Sequence, residues 1–364
     1  MADDEGRSPD DLFGSERTRQ DGNVKEVRWP QDEAVRVALW GPSGSGKTTF
    51  LWALLVADNG TYSGSDWRIS PNDAAAQALS MTAFSALALQ NRLPNPDLSL
   101  VQPSAWMLSR DADLRRTPPR GVPDFLRGRR WREAGEETQI PTHIQDLPGR
   151  VFDFGDEQAK QFRANAIRQL AEADAFVYLH DPLLDLDTEA QKSVAHFHGM
   201  LDAIEAVRPP ELTGRRLEQH VAVCITKFDH PAVFDPAWEQ GFATMNPAPH
   251  ISQENARAYF DWLCERHDYH RRTELLRKDL HTRFHQDRVR YYATSSLGYY
   301  REYDRPHNPR DMRMDSPSGQ RGTPDGPVTE GPVKPVNVLE PFVDLVRAVR
   351  RNPPSHGGYE GGRA

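Results

Sequence analysis

The sequence predicts an α/β fold, a doubly wound and mainly parallel sheet, from two observations. The first is that runs typical of buried strands alternate with stretches of helical periodicity. Several of these runs are apolar on both faces, as in the middle of a parallel sheet. The strand-like runs are 34–40, 140–145, 175–179, 221–225 and 289–294, and the helical stretches are 156–171, 188–206, 254–287 and 338–351. The second is a glycine-rich segment that joins the first strand to the first helix.

This glycine-rich segment has the residue types and spacing of a phosphate-binding loop. Its glycines let successive N–H groups point at phosphate oxygens, and the following helix adds the positive end of its dipole. Lys47 can reach the β- and γ-phosphates, and the Thr48 hydroxyl can bind Mg²⁺. The predicted triphosphate site consists of Gly41, Pro42, Ser43, Gly44, Ser45, Gly46, Lys47, Thr48 and Thr49.

Composition and charge exclude several classes of protein. The chain has 364 residues and a net charge of −8, which argues against nucleic acid as the main ligand. Its two cysteines cannot form a disulfide framework. The start is acidic without a signal-peptide pattern, and no apolar stretch reaches the length of a membrane span. We therefore expect a cytoplasmic protein with no membrane span.

Composition also predicts one domain with polar additions. Residues 1–31 are polar and charged and predict a disordered acidic tail. The P-loop domain is expected to cover 32–300 and to return with a helix at 337–351. Between them, 301–336 is rich in proline, glycine and charge, which predicts a disordered insertion, and 352–364 form a second tail.

Asp146-Leu147-Pro148-Gly149 follows a short predicted strand. An acidic residue at that point can hold Mg²⁺ from the side opposite Thr48. Gly149 lets a backbone N–H approach the γ-phosphate, and losing that phosphate would release the loop. A simple surface turn has the same composition, so this tetrapeptide alone leaves both interpretations open.

Two later segments indicate which base the nucleotide carries. A Thr-Lys-Phe-Asp segment at 226–229 follows a buried strand, at the sheet edge where ligands bind. The Asp229 carboxylate can accept from the ring N–H and the amino group of guanine, which adenine does not offer together; capping of a helix is the alternative. The stem of Lys227 can lie over the base. Backbone N–H groups after the last strand can meet the guanine carbonyl. The predicted base site is Thr226, Lys227, Asp229, Ser295 and Ser296.

In this order, the four segments resemble the nucleotide-binding motifs of the translation-factor and Ras-like superfamily of P-loop GTPases. The resemblance covers roughly 34–298, and the 338–351 helix resembles the closing helix of that fold. Thr226, where asparagine is commoner, is similar to the Rho-type variant. The general layout is also similar to bacterial double-GTPase families. The resemblance implies GTP or GDP with Mg²⁺, and a protein effector or a partner GTPase. The implied catalytic residues are Lys47, Thr48, Asp146 and Gly149, with Thr48 and Asp146 as the Mg²⁺ ligands.

The sequence departs from the family pattern in two places. Ras-like enzymes follow Asp-x-x-Gly with a glutamine that orients the attacking water, and here that position is Arg150. This departure implies slow hydrolysis, help from a partner, or another water-positioning residue such as Asp153 or Asp156. The second departure is the threonine of the first switch loop. The candidates are Thr117, which we prefer, and Thr61 and Ser99.

Two further signals are weaker. Cys264 with His267, and His281 with His285, have spacings that permit metal ligation, but no acidic partner completes a known metal motif. The basic run 127–132 is expected to be solvated or to contact a protein. We therefore expect no metal other than Mg²⁺ and no nucleic-acid partner.

Overall fold

The computed structural model describes most of the chain between Arg28 and Ser355. The described residues are 28–30, 32–57, 66–90, 92–94, 103–110, 138–147, 149, 157–186, 190–208, 214–244, 249–265, 273–301, 312–314 and 333–355. Within these ranges no helix combines the length and the apolar character that crossing a bilayer requires.

A seven-stranded sheet forms the centre of the fold. The strands of the chain are β1 (Val35–Trp40), β2 (Trp67–Pro71), β3 (Ser104–Arg110), β4 (Gln139–Asp146), β5 (Ala175–His180), β6 (His220–Ile225), β7 (Ala243–Thr244), β8 (His250–Ile251), β9 (Val289–Ala293), β10 (Tyr299–Arg301) and β11 (Met312–Met314). The order in the main sheet is β2-β3-β4-β1-β5-β6-β9. Strands β4, β1, β5, β6 and β9 are parallel to their neighbours in this series, and β3 is antiparallel to both β2 and β4. The predicted mainly parallel sheet is confirmed.

Helices cover both faces of this sheet. They are α1 (Lys47–Val56), α2 (Ala74–Ala83), α3 (Glu157–Glu172), α4 (Pro182–Leu186), α5 (Ala190–Val207), α6 (Pro231–Glu239), α7 (Gln253–Glu265), α8 (Thr273–Arg283) and α9 (Leu339–Arg351), with a π-helix at Phe84–Leu89 and a 3₁₀ turn at Gln286–Arg288. Buried residues of α1, α2 and α9 share one apolar cluster, and those of α3, α5, α6, α7 and α8 share another. The doubly wound arrangement predicted from the sequence is therefore confirmed.

Strand β1 shows how one sequence supplies both clusters. Successive side chains of a strand point to opposite faces. Val37 and Leu39 accordingly lie in the α1/α9 cluster, and Ala38 and Trp40 lie in the opposite one. The Trp40 ring stacks on Phe197 of α5 with ring centroids 4.6 Å apart. Burial on both faces explains why the central strands are apolar at nearly every position.

Helix α2 begins later than its sequence suggests. Ser70 and Pro71 are typical of a cap and a first helical residue, but both belong to the end of β2. The cap is Asp73, whose side chain accepts from the backbone N–H of Ala76 at 2.6 Å. Pairing of β2 with β3 extends through Pro71 and therefore delays the helix.

Two other helical expectations were wrong in part. The continuous stretch expected over 254–287 contains two described helices, α7 and α8, and α8 ends at Arg283. Asn337 and Glu340 have the spacing of a capping box, but Val338 precedes α9 and no side chain caps it. Asn337 instead donates its side-chain amide to the Ala293 carbonyl at 2.9 Å. That bond ties the start of α9 to the end of β9.

Two histidines are buried within the fold in their neutral form. The His180 ring at the end of β5 packs edge-on against Phe260 at 5.3 Å, and burial lowers its pKa to about 4. Burial lowers the pKa of His196, on α5, to about 3, and the charge of Lys47 adds to the effect. Neither imidazole gains a proton in the folded state near neutral pH.

We expect the free energy of unfolding to decrease as the pH falls from 7 to 5. The unfolded chain binds protons at these rings below pH about 6.5, whereas the native rings do so only near pH 4 and 3. Each histidine then contributes roughly 2 kcal/mol of destabilisation at pH 5. Denaturant unfolding of His180→Gln and His196→Gln across this range should show a flatter dependence on pH. A pH dependence as steep in the double variant as in the wild type would contradict the assignment.

Candidate functional site

Five parallel strand ends lie side by side at the carboxyl edge of the sheet. Parallel pairing keeps them level, because each strand end has a partner on the next strand. The pairs are Leu39 with Asp146, Trp40 with Tyr178, His180 with Ile225, and Ile225 with Ala293. The segments that follow β1, β4, β6 and β9 are those predicted to bind a nucleotide, and the fold brings them to this one edge.

The predicted phosphate loop forms the turn between β1 and α1. Gly46 precedes α1 in a left-handed conformation, with φ of 88°, and the helix begins at Lys47. The Lys47 side chain is buried, and its Nζ donates to the carbonyls of Gly41 and Pro42 at 2.7 and 2.8 Å. Ser43 is exposed at the tip of the loop. The ammonium group is thus held under the loop by two backbone carbonyls.

The two predicted Mg²⁺ ligands are in contact. The Thr48 hydroxyl donates to Asp146 Oδ2 at 2.8 Å. The other oxygen, Asp146 Oδ1, is buried and has no hydrogen-bond partner among the described residues. Burial raises the pKa of Asp146, whereas the charge of Lys47 and the hydrogen bond from Thr48 act to lower it. A hydroxyl beside a carboxylate with an unsatisfied oxygen is a suitable donor set for Mg²⁺.

Gly149 lies directly against the phosphate loop. A Cβ atom at this position would be 2.6 Å from the backbone nitrogen of Ser43 and 2.9 Å from Lys47 Nζ. Only glycine fits such a close approach. The segment after β4 therefore returns to the loop, as the interpretation of Asp-x-x-Gly as a phosphate contact requires.

The 226–229 segment is held on both sides by the neighbouring strand ends. Thr226 donates to the His180 carbonyl through its backbone nitrogen, at 2.8 Å, and through its hydroxyl, at 3.1 Å. On the other side, the Phe228 nitrogen donates to the Thr294 carbonyl at 3.1 Å. The Thr226 side chain is buried and used within the protein, so its role is to fix the segment.

Asp229 is the carboxylate predicted to select the base. Its Oδ1 accepts from the Ser295 hydroxyl at 2.6 Å, and burial raises its pKa, opposed first by that same bond. Helix α6 is capped by the side chain of His230, which accepts from the Ala232 nitrogen. The alternative that Asp229 caps the helix is therefore wrong.

Ser295 has a different contact from the one expected. Its backbone N–H donates to the Val336 carbonyl at 3.0 Å, so it does not point to a ligand. Its hydroxyl accepts from the Gly298 nitrogen at 2.7 Å while donating to Asp229. Ser296, the next residue, is half-buried, and its contact with a base carbonyl stays a prediction.

Sequence reasoning missed two parts of this edge. Asp181, the residue after β5, is fully buried and forms an ion pair with Lys227, with Nζ 2.5 Å from Oδ2. The available signal was a charged residue directly after a buried strand. The second part is a segment at 333–337 that pairs with the loop after β9, where Val336 and Ser295 exchange two backbone bonds and Lys334 donates to Leu297. No pattern in the sequence indicated that pairing.

Several predicted positions lie outside the described residues. The switch candidate Thr117, its alternatives and the residue in place of the usual glutamine are among them, so these stay predictions. They are Thr61, Ser99, Thr117, Arg150, Asp153 and Asp156. Across the described part of the chain, no group of three or more metal-binding side chains is found, and Cys264 is buried and outside any disulfide.

Comparisons with known proteins give structural matches only. No protein-family model and no curated protein matches the chain. A structure of Sup35 complexed with GMPPNP matches at 12% identity and a TM-score of 0.28, over 72% of this chain and 37% of that one. The signal recognition particle receptor SRb-GTP/SRX complex from Chaetomium thermophilum matches at 11% identity and a TM-score of 0.33. That match covers 73% of this chain and 93% of the other.

A third match is the GDP-bound G-domain of FeoB from S. thermophilus, at 15% identity and a TM-score of 0.20, over 54% of this chain and 45% of that one. The chain thus spans less than half of the Sup35 and FeoB chains that it matches. Scores and identities this low identify no family, so the functional assignment rests on the residues of the site.

We expect Gly298→Ala to destabilise the protein more than Gly241→Ala. Both glycines have a left-handed φ, 83° and 76°, so the backbone penalty of alanine is similar. At Gly298 the new Cβ would lie 1.8 Å from the Lys334 carbonyl oxygen, whereas at Gly241 it would meet nothing within 4 Å. The excess should be about 2 kcal/mol, measured by denaturant unfolding of both variants. Equal losses would show that the 333–337 segment does not pack against the loop after β9.

Proposed function

We propose that this chain binds guanine nucleotides with Mg²⁺ and hydrolyses GTP slowly, acting as a molecular switch or regulator. One observation supports this most directly. The loop that holds Lys47, the pair Thr48 and Asp146, and the bonded pair Asp229 and Ser295 all lie at the carboxyl ends of parallel strands, at the same edge of one sheet. An edge of this kind is where α/β proteins bind nucleotides.

The spacing of these groups suits a nucleotide that lies along the edge. Strands β1 and β6 are separated only by β5, so the phosphate loop and the segment with Asp229 are two strand spacings apart, about 10 Å. A phosphate group at the loop would meet Lys47 and the positive end of α1. A base at the other end would meet Asp229. A single ligand with an anionic tail and a donor-rich ring satisfies both ends.

The surroundings of Asp229 favour guanine over adenine. One carboxylate oxygen is held by the Ser295 hydroxyl, which fixes the plane of the group. A carboxylate in this position accepts from two adjacent N–H donors, and guanine offers a ring N–H beside an amino group. Charge-assisted bonds of this kind are about twice as strong as neutral ones.

Thr48 and Asp146 would hold the Mg²⁺ ion that accompanies the phosphates. Their contact and the unsatisfied Oδ1 of Asp146 fit that role. The ion, when bound, supplies positive charge beside the phosphate oxygens. Lys47 and the loop N–H groups would then stabilise the charge that develops as water attacks the γ-phosphorus in line with the leaving oxygen.

The output of such a cycle would be a rearrangement of the segment at Gly149, read by a protein effector or a partner GTPase. The contact of Gly149 with the loop supports this, because a γ-phosphate at Lys47 would lie next to that backbone.

A cytoplasmic location is part of the proposal. The alternatives are an ATP-binding P-loop NTPase and a nucleotide-binding scaffold that barely hydrolyses. Single-turnover hydrolysis tests the scaffold.

We expect GTP and GDP to displace a labelled guanine nucleotide at far lower concentrations than ATP. Asp229→Asn should weaken GDP binding about 100-fold and shift the preference toward xanthine nucleotides, because the amide replaces one acceptor by a donor. Asp235→Asn, at an exposed position of α6, is the matched control. Competition titrations with GDP, XDP and ATP provide the measurement. Displacement by ATP as easily as by GTP would favour the ATP alternative.

We also expect Thr48→Ala to abolish the gain in GTP affinity that Mg²⁺ provides. Affinity in the presence of a chelator should change little, since the phosphate loop and Lys47 remain. Thr282→Ala removes a comparable exposed hydroxyl on α8, which donates only to the Lys278 carbonyl, and serves as control. Titrations of both variants with and without Mg²⁺ decide the matter. An undiminished gain in Thr48→Ala would exclude the hydroxyl as a ligand.

A further inference from the structure

Asp181 is a buried acidic residue that the site described above does not yet use. It follows β5, the strand between the phosphate loop and the 226–229 segment, and its side chain is fully buried. Burying a carboxylate is unfavourable by several kcal/mol unless hydrogen bonds or a cation compensate it. The groups that contact the Asp181 carboxylate therefore indicate its role.

Two groups compensate this carboxylate. Oδ1 accepts from the Leu183 backbone nitrogen at 3.0 Å, at the start of α4. Oδ2 lies 2.5 Å from Lys227 Nζ. Lys227 is the cation of the pair, and 38% of its side chain is exposed at the edge of the sheet. The buried carboxylate thus fixes the end of a lysine whose stem remains accessible to a ligand.

The backbone of Lys227 adds a second constraint. Its φ is 54°, in the left-handed region that lysine rarely occupies. Such a conformation persists only where the surroundings determine it. Here Thr226 is bonded to the His180 carbonyl on one side, and the His230 nitrogen donates to the Lys227 carbonyl at 2.7 Å on the other. The chain therefore leaves β6 in a conformation that directs the Lys227 side chain toward β5.

The result is a side chain that crosses from β6 to β5 along the carboxyl edge. The distance between neighbouring strands is about 4.8 Å, which the four-carbon stem of lysine spans. This path lies between the phosphate loop and Asp229, where a nucleoside would lie. Methylene groups held there offer an apolar surface to the face of a purine and sugar.

We infer that Asp181 is a positioning residue for the nucleoside, and that it acts through Lys227. Its buried carboxylate holds the ammonium group, so the lysine stem is fixed as a platform before any nucleotide arrives. A platform that is already ordered binds more tightly, because less side-chain freedom is lost on binding. The inference rests on the proposed function and goes further in naming the residue that orders the base end.

The test is a double-mutant cycle on the full chain, with dissociation of a fluorescent GDP analogue in Mg²⁺ buffer as the readout. We expect Asp181→Asn and Lys227→Met each to accelerate dissociation about tenfold. The double variant should dissociate no faster than the faster single variant, because both changes remove the same platform. Asp202→Asn is the control, since it also removes the acid of an ion pair, with Arg283 on α8.

A purely structural role gives a different pattern. In that case Asp181→Asn lowers the unfolding midpoint of the nucleotide-free protein but leaves dissociation within twofold of the wild type, and the inference is overturned. Multiplicative effects in the double variant overturn it as well. If Asp181→Asn does not fold, the double variant still decides, because it leaves no buried charge without a partner. Dissociation from it more than threefold faster than from Lys227→Met shows that Asp181 acts elsewhere.

Failure of the guanine assignment gives a separate result. Wild-type protein that binds ADP and not GDP would disprove guanine selection, and the same cycle is then run with a fluorescent ADP analogue. The stem of Lys227 would lie against either purine, so the coupling is expected in both cases. Wild-type protein that binds neither nucleotide overturns the inference together with the proposed function.

Discussion

Parallel pairing of β1 with β4 on one side and β5 on the other is the constraint on which the rest of the structure depends. It makes β1 a central strand, buried on both faces, and it sets the level of every strand end beside it. The loop after β1 then emerges between the segments that follow β4 and β5. The contact of Thr48 with Asp146 requires that alignment, and the parallel pairing of β5 with β6 continues it to the contact of Lys227 with Asp181.

The same alignment gathers three carboxylates at one edge, and each is compensated differently. Asp146 has a hydroxyl and the nearby charge of Lys47, Asp181 has a backbone N–H and Lys227, and Asp229 has the hydroxyl of Ser295. Burial raises the pKa of Asp146 and of Asp229. Among the three carboxylates, Asp181 is the one with a cation in direct contact. The two carboxylates without such a cation are those assigned to ligands in the proposed function. Asp146 keeps one oxygen, Oδ1, without a hydrogen-bond partner among the described residues, which fits the metal ligand of the proposed function.

Much of this could be predicted from the sequence because the relevant physics is local. A glycine-rich turn between an apolar strand and a helix, or an acidic residue directly after a buried strand, places functional groups by short-range geometry. The α/β fold followed from apolar runs that only a buried parallel sheet explains. The late start of α2 was missed because the pairing of β2 extends through Pro71. The contacts of Asp181 with Lys227 and of Ser295 with Val336 were missed because their partners are 46 and 41 residues away, and local patterns do not register such distances.

The pairing of Ser295 with Val336 joins the nucleoside end of the molecule to its last helix. Val336 lies three residues before Leu339, the first residue of α9. The next residue, Asn337, adds a hydrogen bond to the end of β9. The loop that holds Asp229 is therefore tied by these hydrogen bonds to the segment that leads into α9. Under the proposed function, base recognition would therefore be coupled to the packing of the apolar face of α9 against the sheet.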